Sequence, residues 1–133
     1  MAENLTDFMT ELEQTDPGPF SPGSYYYGSE EDSLMLYLRN EESFARRINN
    51  LVTIFVSPDD KLVGCQVKGL RRKLLSDGSF GIAIHRDGKL HLGLFFHLLA
   101  FEVQEPEPRN RLVELGQEAK GIELDTRELV GRG

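Results

Sequence analysis

Leu51-Val52-Thr53-Ile54-Phe55-Val56-Ser57, then Pro58-Asp59-Asp60-Lys61, then Leu62-Val63-Gly64-Cys65-Gln66-Val67-Lys68: two alternating, β-branched segments enclose four residues of turn chemistry. This is the pattern of a β-hairpin. Pairing Ser57 with Leu62 sets Val56 against Val63, Phe55 against Gly64, Ile54 against Cys65 and Val52 against Val67. One face is then wholly apolar, and the other carries Thr53, Gln66 and Lys68. A slip of one residue would scatter that pattern, so the register is well specified. The stretch describes a core and places Cys65 inside it.

Upstream, Tyr25-Tyr26-Tyr27 begins a strand. Successive residues point to opposite faces, so at least one tyrosine must reach a surface. Gly28 to Asp32 reads as a turn, and Ser33 to Arg39 as a strand with Leu34, Leu36 and Leu38 on one face and Met35 and Tyr37 on the other. Asn40 to Phe44 turns again, and Arg46 to Asn50 leads into the hairpin, giving an antiparallel meander. Before all of this, Asn4 caps a predicted helix from Leu5 to about Glu13, on which Leu5, Phe8, Met9 and Leu12 form one apolar stripe. A short helix needs tertiary support, and packing on this domain's own sheet is the expectation. Asp16 to Gly23 is a Pro/Gly-rich arm with Phe20 as an anchor.

Downstream, Leu70 to Leu75 reads as a short helical turn ended by Ser76-Asp77-Gly78. A second hairpin is predicted from Phe80 to Arg86 and from Lys89 to Leu94, around Asp87-Gly88. The run Leu94 to Val103 fits strand or helix, because its even apolarity leaves periodicity silent. Pro108 suits the first turn of a helix through about Lys120, with Leu112, Leu115 and Ala119 on one face and Gly121 beyond its end. Ile122 to Leu124 reads as a last short strand.

The fold class is therefore α+β: a largely antiparallel β-sheet of meander and hairpins, with N- and C-terminal helices. At 133 residues the chain fits a single domain over 1–133. Residues 1–23 form an acidic helix and arm, 24–103 a β-rich core, and 104–133 a C-terminal helix and tail.

A net charge of −7 disfavours nucleic acid and anionic membranes as partners. No Lys or Arg precedes Arg39, whereas the span Arg39 to His91 is net positive; the acidic N-terminal segment reads as a solvated acidic arm, with docking on the basic middle as the alternative. Cys65 is the only cysteine, which excludes an internal disulfide and fits a cytoplasmic protein. No basic-then-apolar leader opens the chain, and no apolar run is long enough to span a bilayer.

Chemistry-bearing patterns are few. His85, His91 and His97 recur every six residues, which invites a metal site. The predicted hairpin pairs His85 with Leu90 and puts His85 and His91 on opposite faces. Glu30-Glu31-Asp32 and Asp59-Asp60 suit a divalent cation by charge, yet neither has an ion-loop spacing. Lys68, Arg71, Arg72 and Lys73 are the only basic cluster, and His85-Arg86-Asp87 spells the start of a kinase loop without the rest of that motif. No catalytic residue, cofactor site or metal-ligand set is assigned.

From Tyr25 to about Gly69 the chain resembles the small bacterial domain-of-unknown-function family 2283. The residues that carry the resemblance are Tyr25-Tyr26-Tyr27, Asp32-Ser33-Leu34-Met35-Leu36-Tyr37-Leu38, Val52-Thr53-Ile54-Phe55-Val56 and Leu62-Val63-Gly64-Cys65-Gln66-Val67. Cys65-Gln66-Val67 stands where the family has Ile-Glu-Ile, and Tyr37 is shifted from the usual aromatic place. The resemblance implies an α+β or mainly-β domain without established catalytic residues, and an antitoxin-like role beside a protein partner.

Two function classes follow. The first is a non-enzymatic protein-interaction or regulatory domain, forming a homodimer and open to a protein partner. The alternative is a small-ligand-binding protein or an enzyme whose site is assembled from distant loops. The predicted interface residues are Tyr25, Tyr26, Tyr27, Tyr37, Phe95 and Phe96, drawn from the tyrosine run, the strand after it and the run Leu90 to Phe101.

Overall fold

The computed structural model describes residues 22–85 and 87–130. The predicted N-terminal helix, most of the arm with its Phe20, and Arg86 of the predicted second hairpin lie outside the described residues.

Five strands form one antiparallel sheet: β1 (Ser24–Gly28), β2 (Ser33–Tyr37), β3 (Phe44–Arg47), β4 (Val52–Val56) and β5 (Leu62–Lys68). Their order is β1-β2-β5-β4-β3, with β5 at the centre. The hairpin is therefore central, as the sequence predicts. The meander is not simple, because β2 pairs with β5, and residues 38–43 carry the chain across to β3 at the far edge. Read backwards from β5, the order of the last four strands is that of a Greek key. Hairpins keep β3, β4 and β5 adjacent.

The hairpin register holds at four positions: Val52–Val67, Thr53–Gln66, Ile54–Cys65 and Phe55–Gly64. Beyond Phe55 it shifts, and Val56 faces Leu62 in place of the predicted Val63. Val63 is the extra residue of a bulge. Its carbonyl accepts the main-chain N–H of Leu38 at 2.8 Å and of Arg39 at 3.1 Å. The bulge thus holds the start of the β2–β3 crossover.

Leu34, Leu36, Val52, Ile54, Cys65 and Val67 share one face and are fully buried or nearly so. Four helices and a 3-10 turn supply side chains to the same core. They are α1 (Leu70–Ser76), the turn Gly78–Ala83, α2 (Leu92–Phe101), α3 (Pro106–Glu118) and α4 (Thr126–Val130). The sheet's opposite face contributes no side chain to this core.

The predicted second hairpin does not form. Asp77 accepts the Ser79 N–H at 3.1 Å and starts the 3-10 turn. Phe80 and Ala83 are buried at the i, i+3 spacing of that turn, while Ile82 is turned outward. What remains of the pairing is one bridge, Ile84 to Leu90. The short strand β6 (Lys89–His91) pairs instead with β7 (Glu123–Asp125). The second half of the span 24–103 is accordingly mainly helical.

The run left open between strand and helix is α2. It holds Leu, Phe and Ala but no β-branched residue, which favours helix. α3 starts with Pro106 in its first turn, two residues before Pro108. It buries Leu112 and Leu115, with Ala119 just past its end, and Gly121 follows at φ +88°.

Candidate interaction surface

The six predicted interface residues part company. Tyr26 and Tyr37 lie on the sheet face that contributes no side chain to the core, with Tyr26 exposed. Tyr25 and Tyr27 lie opposite Leu36 and Leu34 on the covered side and pack against the core. Phe95 and Phe96 are completely buried, so they are core residues of the protomer and not interface residues. Within their helix the exposed apolar positions are Leu94 and Phe101, seven residues apart on one side. Phe101 is 85 % exposed.

Two further apolar side chains stand out beside it: Leu75 on α1, 79 % exposed, and Ile82 on the 3-10 turn, 64 % exposed. One residue ties their three elements together. Lys73 of α1 bonds Glu102, just past the end of α2, at 2.9 Å, and its ammonium lies 5.0 Å from the ring of Phe80 in the 3-10 turn. These three joined elements, the helical edge, each expose a large apolar side chain: Leu75, Ile82 and Phe101. Sequence reading includes Phe101 in its predicted interface run but misses Leu75 and Ile82, which pass for members of short apolar patterns. The retrievable signal was the apolarity of α2 all round, too much for a helix with a solvent-facing side.

The groups that chemistry would recruit are engaged elsewhere. Asp32 is buried at φ +54°. Its Oδ1 accepts the Arg71 N–H at 2.7 Å and its Oδ2 the Arg72 N–H at 3.0 Å, opening α1. Tyr27 donates to the same carboxylate at 2.5 Å. Burial, and then the Asp32 bond, push the Tyr27 hydroxyl well above the usual tyrosine range. Burial, and then Glu128, raise Tyr25 to about 12; the Tyr25 hydroxyl donates to Glu128 at 2.9 Å. Arg71 donates to the Leu129 carbonyl at 2.6 Å. Together these bonds fasten α4 to the sheet and to α1. A cavity of about 460 Å³ lies beside them, lined by Glu30, Glu31, Asp32, Arg71, Arg72, Leu75 and Ser76.

The two acidic runs do not meet. Asp32 precedes Ser33, which pairs with Lys68, whereas Asp59 and Asp60 precede Leu62 at the other end of β5. Asp60 pairs with the buried Arg111 at 2.5 Å, and Asp59 with Ser57 and Lys61. The basic cluster is also divided, with Lys73 and Arg71 engaged as described.

His85 and His91 were predicted on opposite faces. They are stacked, with ring centroids 3.5 Å apart. The Ile84–Leu90 bridge differs by one residue from the predicted register, and such a slip moves a side chain to the other face. His91 Nε2 lies 3.6 Å from Glu123. His97 joins neither of them: its Nδ1 donates to the Gly93 carbonyl at 2.8 Å. Among the described residues no cluster of three or more metal-ligating side chains forms. Cys65 is fully buried, and burial pushes its thiol far above the ordinary range, away from the reactive thiolate.

Among the described residues no helix is long and apolar enough to cross a membrane. Comparisons with protein-family models, with curated proteins and with solved structures find no match.

Proposed function

We propose that this protein is a non-enzymatic interaction or regulatory module that works as a homodimer joined along its helical edge. The observation that carries this reading is the exposure of Leu75, Ile82 and Phe101 on three elements bound together through Lys73. Large apolar groups on a rigid edge favour removal from water at about 25 cal/mol per Å². A two-fold dimer buries such groups against its own copy and closes. The engagement of Asp32, His97 and Cys65 in structural contacts also supports an interaction module over a catalyst. A cytoplasmic setting suits the lone buried thiol.

Light scattering coupled to size exclusion, at micromolar concentration, tests the reading. The expected mass is twice the 15.1 kDa of the chain. A monomer mass that persists as the protein is concentrated would end it.

A further inference from the structure

We draw no further inference here: the strongest candidate, the face of the five-stranded sheet opposite the core, crossed by Tyr26, Met35, Gln66 and Thr53, carries nothing, because nothing in the structure shows what covers it and the Glu31 carboxylate over Gly28 leaves it no single sign of charge to select a partner.

Discussion

Gly93 of α2 and Gly116 of α3 set how closely the two helices meet. A Cβ on Gly93 would stand 2.9 Å from the Gly116 carbonyl oxygen, and a Cβ on Gly116 would stand 3.0 Å from that of Gly93. His97 fills the space over Gly116 and bonds the Gly93 carbonyl. Here a histidine that by spacing invites a metal is a packing residue. Gly93→Ala is expected to destabilise the fold by about 1–3 kcal/mol through overpacking, although alanine is the better helix former. Gly78→Ala, where no atom lies within 4 Å, is expected to stay within about 0.5 kcal/mol of the native protein. Urea unfolding of both variants checks the contrast.

Asp32 holds the first turn of α1 from the far end of the β1–β2 turn. Asp32→Ala removes the acceptor of two main-chain N–H groups and of the Tyr27 hydroxyl, and puts alanine at a positive φ. A loss of about 2–3 kcal/mol is expected from urea unfolding. Asp32→Asn keeps one oxygen and tolerates that backbone, so it should lose less.

Stability should fall on the alkaline side. Tyr25 ionises near 10.0 when unfolded and near 12 when folded, because burial and Glu128 favour the neutral phenol. Tyr27 is raised in the same direction. The folded state therefore retains protons that the unfolded state has released. Their contribution is complete below pH 10 and is lost as pH rises from about 10 towards 12. The urea midpoint followed over that range should drop, and the drop should be smaller in the Tyr25→Phe, Tyr27→Phe double variant.

Much of this fold is legible in the sequence because the signal is local. Alternation in Leu51–Lys68 fixes the pairing of Ile54 with Cys65, and Leu112, Leu115 and Ala119 fix the buried side of α3. Non-local choices are not legible. Nothing in β2 says that its second partner is β5 and not the next strand, β3, since both edges of a strand offer the same N–H and C=O groups. Phe80, Ile82 and Ile84 alternate as in a strand, yet Gly78 and Gly81 weaken a strand and the Asp77 side chain starts a tighter turn. The resulting register stacks His85 on His91. The candidate surface was harder still. Phe95 and Phe96 advertise themselves by size, but the turn of α2 sends them inward and leaves Phe101 outside.

Sedimentation equilibrium of Phe101→Ser beside Tyr26→Ser tests the helical-edge dimer most directly. Phe101 is 85 % exposed in the protomer, so its replacement spares the core. With the interface on the helical edge, Phe101→Ser weakens dimerisation by about tenfold or more, which corresponds to about 1.4 kcal/mol, and Tyr26→Ser leaves it unchanged. A native protein that is monomeric throughout, or a dimer that Tyr26→Ser weakens and Phe101→Ser does not, would contradict it.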